Sequence, residues 1–205
     1  QIVPHGVAMP RTPEQAAALF RTAADMNITV IPRGAGTGLT GGAIGEGLVV
    51  DFARYNRRIS DLNIDQRTVR VQSGVILDQL NAFLRPHGYW FGPDVATSAR
   101  ATLGGMIGNN SSGAYVAVYG TTVDHVVSLD VVLADGTLAT IGRKHDTLPE
   151  HRRVADRVIP PLGAELAGRF NPALLKRLPG YGFDDYLKQP GDLTRIVTGS
   201  EGTLA

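Results

Sequence analysis

Apolar and polar positions alternate in short blocks along the chain, and each block predicts a short element. Val7 and Ala8 read as a strand end, and Ala16, Leu19, Phe20 and Ala23 recur at helical spacing through Ala24. Thr12 stands where an N-cap belongs, with Pro13 at the first helical position and Gln15 three residues after the cap. Asn27 is a stop signal, and the run Ile28 to Ile31 predicts a buried strand. Another strand is expected within residues 45 to 52, so the intervening glycine-rich stretch has no room for a full helix. Residues 57 to 72 alternate apolar and polar positions, which predicts two half-buried strands joined near Asp65. Large apolar residues three and four apart predict a helix over 74–84, closed by Pro86, His87 and Gly88. The runs Val126 to Leu133 and Leu138 to Ile141 flank Ala134-Asp135-Gly136-Thr137, a hairpin signal. Residues 143 to 180 set Arg143, Lys144, His145, Arg152, Arg153, Arg169, Lys176 and Arg177 among Leu and Ala, which predicts helices with a solvated basic face. The terminal run from Ile196 predicts a strand entering a turn.

Composition removes several functions. The 20 Lys and Arg nearly cancel the 19 Asp and Glu, so no basic footprint for nucleic acid or an anionic membrane is present. Cysteine is absent, which excludes disulfides, thiolate nucleophiles and cysteinyl metal or cofactor bonds from these residues. No window approaches 18 consecutive apolar residues, and the first six residues lack the layout of a signal peptide, so the chain reads as not membrane-spanning. Glycine is in excess, at 25 of 205 residues, and is clustered.

Glycine-rich loops after strands let backbone N–H groups converge on phosphate oxygens, because glycine tolerates positive φ and places no side chain in the way. Pro32-Arg33-Gly34-Ala35-Gly36-Thr37-Gly38-Leu39-Thr40-Gly41-Gly42 is such a loop. A P-loop needs a Lys after its last glycine, and no lysine precedes Gly142. Gly36, Gly38 and Gly41 match the Rossmann spacing, but that fingerprint opens a crossover helix, and residues 41 to 48 are too few to form one. Asp51 then reads as a strand-end residue. What remains is a loop that wraps a diphosphate from strand to strand with its own N–H groups.

Val30 to Gly42 closely resembles the pyrophosphate loop of the FAD-linked oxidases, the fold of vanillyl-alcohol oxidase and p-cresol methylhydroxylase. Gly92-Pro93-Asp94, Thr102-Leu103-Gly104-Gly105 and Asn109-Asn110-Ser111-Ser112-Gly113 resemble the family's second flavin loop. Tyr119 to Val126 resembles the segment after it, and Gly199-Ser200-Glu201-Gly202-Thr203-Leu204 its third loop. Within the family the wording is most similar to the D-lactate, glycolate and D-2-hydroxyglutarate dehydrogenases, including bacterial forms fused to an iron–sulfur part. The resemblance implies an α+β, PCMH-type FAD-binding fold, with two α/β subdomains (about residues 1–72 and 73–205) and FAD between them. It also implies that the chain is truncated at its C-terminus and lacks the cap domain, with its catalytic base and metal ligands.

By the same resemblance, Pro32, Arg33, Gly34, Ala35, Gly36, Thr37 and Gly38 wrap the FAD pyrophosphate. Pro93, Asp94, Thr97, Ser98 and Thr102 line the flavin side, where Thr97 and Ser98 have ordinary turn bonding as their other reading. Gly105 allows close backbone approach, and Asn109, Asn110, Ser111 and Ser112 present amides and hydroxyls to the diphosphate or ring. Gly199, Ser200, Glu201, Gly202 and Thr203 close the adenine end, with Glu201 either on a ribose hydroxyl or capping a turn. Relatives with covalent FAD use a His or Cys where this loop carries Thr37, so noncovalent FAD is expected. His87, His125, His145 and His151 then read as structural or surface residues. Hydroxy-acid members show an Asn shortly before a Gly-Tyr pair where this chain has Leu178-Pro179-Gly180-Tyr181.

The implied activity of the whole protein is oxidation of a D-2-hydroxy acid by hydride transfer to flavin N5, with an iron–sulfur domain or subunit as electron acceptor. The implied location is the cytoplasm, free or at the inner face of the membrane. The alternatives are a noncatalytic FAD-binding module or subunit of an electron-transfer complex, and a flavin reductase of the sugar-nucleotide type. The Thr37 to Gly42 wording argues against the last.

Overall fold

In the computed structural model, which describes residues 2–143, 146–169 and 180–205, three parallel strands carry the first glycine loop. They are β1 (Gly6–Ala8), β2 (Val30–Arg33) and β3 (Leu48–Asp51), in the order β1-β3-β2. Ile31 pairs with Val49 and Arg33 with Asp51, so the loop leaves and re-enters the sheet at neighbouring points. Helix α1 (Pro13–Asp25) crosses between β1 and β2. As expected, the Thr12 hydroxyl accepts from the Gln15 N–H at 3.3 Å, while the Gln15 amide oxygen accepts from the N–H of Arg11 at 2.8 Å. Asn27 ends the helix in the left-handed region (φ 53°), and the Ile28 N–H returns to the Ala23 carbonyl at 2.8 Å. Ile28 is thus spent on the helix cap, and β2 starts at Val30. Only Ile31 of β2 is buried, because the strand lies at the sheet edge rather than inside it. Pro32 is tolerated there. The Thr29 and Arg33 carbonyls face β3, so the proline nitrogen faces outward, where no ladder bond is lost.

The two strands expected within residues 57 to 72 form the antiparallel pair β4 (Ile59–Asn63) and β5 (Thr68–Val71). They pack on α2 (Leu77–Leu84) and α3 (Leu103–Asn109) around Val75, Leu77, Leu80, Leu84, Ala101, Leu103 and Met106. The sequence shows residues 104 to 113 only as a glycine loop, yet their first half is helical. Thr102 caps α3 by accepting from the Gly105 N–H at 3.3 Å, Gly104 lies against Ser73, and burial of Leu103 and Met106 outweighs the poor helix propensity of glycine.

Beyond α4 (Val116–Tyr119), the predicted hairpin is present as β6 (Ser128–Val132) and β7 (Leu138–Gly142). Helix α1 lies near it, with the Arg21 guanidinium donating to the Gly136 carbonyl at 3.2 Å. The basic region contains α5 (Pro149–Val158) and α6 (Gly163–Arg169), with Arg152 and Arg153 exposed as expected. Lys144, His145, Lys176, Arg177, Leu178 and Pro179 lie outside the described residues. Helices α7 (Phe183–Lys188) and α8 (Thr194–Val197) complete a second core with Ile141, Ala155, Ile159, Tyr186 and Leu193. The terminal strand expected from Ile196 is not formed, because Asp192 caps the turn instead. Its carboxylate accepts from the Thr194 hydroxyl at 2.6 Å and from the Thr194 N–H at 3.2 Å, and it pairs with the buried Arg195. Among the described residues no helix is long and apolar enough to cross a membrane.

Candidate functional site

The first loop leaves β2 at Arg33 and returns at Leu48. Among the described residues, no N–H from Gly34 to Gly42 donates to a protein acceptor. Backbone donors left without partners in a native loop are normally satisfied by water or a ligand, and a row of them suits an anion. Gly36 has a φ of +68°, which disfavours any side chain. The Arg33 guanidinium folds over it, so that a Cβ at Gly36 would fall 2.9 Å from one of its nitrogens. Gly34 is pressed against the second motif, and a Cβ there would collide with the Thr102 hydroxyl.

Pro93 is fully buried, and Asp94 sits beside the start of α4. The Asp94 carboxylate accepts from the Tyr115 N–H at 3.4 Å and lies against Gly113. Thr97 and Ser98 build a turn: the Thr97 carbonyl accepts from the N–H groups of Arg100 and Ala101, both at 2.8 Å, and the Ser98 carbonyl from that of Asp78 at 3.2 Å. These bonds use backbone atoms and leave both hydroxyls without a protein partner among the described residues. After α3, Asn110 adopts φ 50° and its side-chain oxygen accepts from the Val123 N–H at 2.9 Å. Ser111 donates to the Asn109 side-chain oxygen at 3.1 Å. The Asn109 amide in turn donates to Glu201 at 2.6 Å, which ties the second motif to the third.

The third motif is fastened on several sides. The N–H groups of Gly199 and Glu201 donate to the carbonyls of Ile107 and Gly108 at 2.9 and 2.8 Å. The Thr203 hydroxyl donates to the Ser200 carbonyl at 2.7 Å and meets the Tyr181 hydroxyl at 2.9 Å. Gly202 packs against the Pro32 ring, and the second Glu201 carboxylate oxygen faces Gly42. Three segments distant in sequence therefore meet around Pro32, Gly34, Thr102, Gly105, Asn109 and Glu201. Among the described residues, Thr37, Gly38 and Ser112 make no hydrogen bond to the other motifs.

A cavity of about 290 Å³ opens beside this junction, lined among others by Arg33, Gly34, Asp51 and Thr102. Arg57 and Arg100 also line it, and sequence reasoning did not single them out. Their signal was a position near each motif, which has no meaning until the chain is folded. Of the histidines, His125 bonds the Tyr119 carbonyl at 2.7 Å and stacks near Phe91, and His87 lies near Phe83. His151 is exposed, and His145 is outside the described residues. Among the described residues no group of three or more His, Asp or Glu is close enough to hold a metal.

The chain is 39% identical to D-2-hydroxyglutarate dehydrogenase of Escherichia coli over 230 aligned residues, covering all of this chain and 22% of that protein. It is 31% identical to the glycolate oxidase subunit GlcD of Bacillus subtilis, covering all of this chain and 35% of that subunit. The chain thus spans between a fifth and about a third of the length of these relatives. Among solved structures, 6-hydroxy-D-nicotine oxidase from Arthrobacter nicotinovorans shares the fold at a TM-score of 0.63 and 20% identity, over 71% of this chain and 32% of that one. The match to the FAD binding domain model runs over residues 4–142, from before β1 to the end of β7, and the chain belongs to that family of FAD-binding domains.

Proposed function

We propose that this chain is the FAD-binding part of a flavin-dependent oxidoreductase that oxidises a D-2-hydroxy acid. The observation that carries the reading is the run of unpartnered N–H groups from Gly34 to Gly42, held against the second and third motifs in a chain 39% identical to a D-2-hydroxyglutarate dehydrogenase. FAD lies between a first unit of about residues 1–72 and a second of about 73–205. Residues Pro32 to Gly38 bind its diphosphate. Pro93, Asp94, Thr97, Ser98 and Thr102 take the flavin side, Gly105 and Asn109 to Ser112 the middle, and Gly199 to Thr203 the adenine end. The free hydroxyls of Thr97 and Ser98 support their role, as does the Glu201 oxygen that faces Gly42.

When bound, the flavin supplies two-electron chemistry, accepting hydride from the α-carbon of the hydroxy acid at N5. The groups that bind the acid and remove its hydroxyl proton belong to the larger part of the relatives that this chain does not span. The electrons pass on to an iron–sulfur domain or subunit, a reading supported by the similarity in motif wording to such bacterial fusions. FAD is held noncovalently, since Thr37 stands where a bonding His or Cys would be.

Acid precipitation tests the cofactor, and all flavin is expected in the supernatant as FAD. Yellow colour retained in the pellet contradicts noncovalent binding, and a colourless chain that takes up no added FAD contradicts the function. In anaerobic mixing with D-2-hydroxyglutarate, glycolate or D-lactate, the whole protein is expected to bleach with one of them and residues 1–205 with none. Bleaching by residues 1–205 alone would show that the reacting groups are inside this chain.

A further inference from the structure

The cavity beside the junction is lined by three arginines, Arg33, Arg57 and Arg100, and by one acidic residue, Asp51. Arg33 comes from the end of β2, Arg57 from the segment after β3, and Arg100 from the turn before α3. Asp51 supplies the negative charge, and one of its oxygens is already engaged by the Ala53 N–H at 2.7 Å. Arg57 is held in place by donating to the Ala53 carbonyl at 2.6 Å. Among the described residues, neither Arg33 nor Arg100 has a side-chain hydrogen bond or ion pair. Gly34 and Ala35, whose N–H groups have no protein acceptor among the described residues, line the same space. Like charges gathered around a small cavity repel one another, and the arrangement is favourable once an anion occupies it.

We propose that Arg100 and Arg57, together with Arg33, neutralise the diphosphate of FAD beside the glycine loop. The inference rests on the proposed FAD-binding function and deepens it. Guanidinium suits the task because its planar fork pairs two phosphate oxygens at once. The loop then supplies shape through its backbone, and the arginines supply charge from three separate segments of the chain.

The test is fluorescence titration of the full chain and its Arg100→Ala and Arg100→Lys variants with FAD and with riboflavin, which has no phosphate, at low and high salt. Arg100→Ala is expected to weaken FAD about tenfold, as loss of one charge-assisted contact would. It should leave riboflavin unchanged and flatten the salt dependence of FAD binding, and Arg100→Lys should restore part of each. Unchanged FAD affinity in Arg100→Ala would show a solvated surface arginine and overturn the inference. Equal weakening of FAD and riboflavin would show a structural role and overturn it as well. In both cases the FAD-binding function itself stands. Failure of the unaltered chain to bind FAD would overturn the function and this inference together.

Discussion

The first and third glycine motifs meet in space yet are built in opposite ways. From Gly34 to Gly42 the backbone leaves its N–H groups without protein partners, and a Cβ placed at Gly38 or Gly41 would meet nothing within 4 Å. From Gly199 to Thr203 the backbone bonds to α3 and to its own turn, and Gly199, Glu201 and Gly202 all hold positive φ, at 96°, 55° and 75°. Glu201 is not a glycine, so its conformation is strained and is held only by its surroundings. The open loop leaves its N–H groups without protein partners among the described residues, whereas the closed loop spends its own on fixing its place against α3.

That contrast can be broken most sharply at Gly36. A Gly36→Val change forces a β-branched residue into φ +68° and drives its Cβ into the Arg33 guanidinium. FAD affinity in fluorescence titration is expected to fall about a hundredfold, because the open loop escapes the strain by leaving the shape in which its N–H groups converge. The melting temperature without FAD should barely move, because the loop contributes little to the core. A large drop in that temperature would mean that the open loop is structural after all.

Gly202→Val sharpens the same comparison from the other side. Its Cβ would lie 2.5 Å from the Pro32 ring at a φ of +75°. It is expected to destabilise the chain by about 2 kcal/mol even without FAD, seen as a lower midpoint in urea. An unchanged midpoint would remove the distinction between the two loops.

The smallest effect near neutral pH is expected at Tyr186, which lies outside both motifs in α7. Burial pushes its hydroxyl up to about 12, helped by the bond it donates to the Asp156 carboxylate at 2.5 Å. The folded chain then keeps a proton that the unfolded chain loses near its ordinary value of 10. This contribution is complete below pH 10 and is lost as pH rises toward 12. Tyr186→Phe should flatten that alkaline limb in urea titrations and leave FAD binding unaltered. A limb of unchanged slope would place its origin elsewhere.

What the sequence reveals is local. The Thr12 cap, the Asn27 stop and the Asp135-Gly136 turn are each specified within a few residues, and each is present in the fold. Ile196 and Val197 favour a strand by their own preference, and the Asp192 turn, the buried Arg195 and packing against the second core hold them in a helical turn. Helix α3 is hidden in the same way, since its three glycines argue against a helix that Thr102 and two buried side chains enforce. The glycine loops were legible because each is a run of residues contiguous in the sequence. Arg57 and Arg100 were not, because their meeting depends on a tertiary crossing that no local pattern encodes.

Pro32 has one more consequence. A parallel sheet that ends in an exposed strand offers a row of donors and acceptors to any extended chain nearby, and self-association by strand addition is the usual hazard. Here β2 is that edge, and the outward position in its middle carries no donor because it is a proline. The Pro32 ring is further covered by Gly202. The residue that launches the first glycine loop therefore also removes a donor from the sheet edge beside it, which works against strand addition by a second copy there.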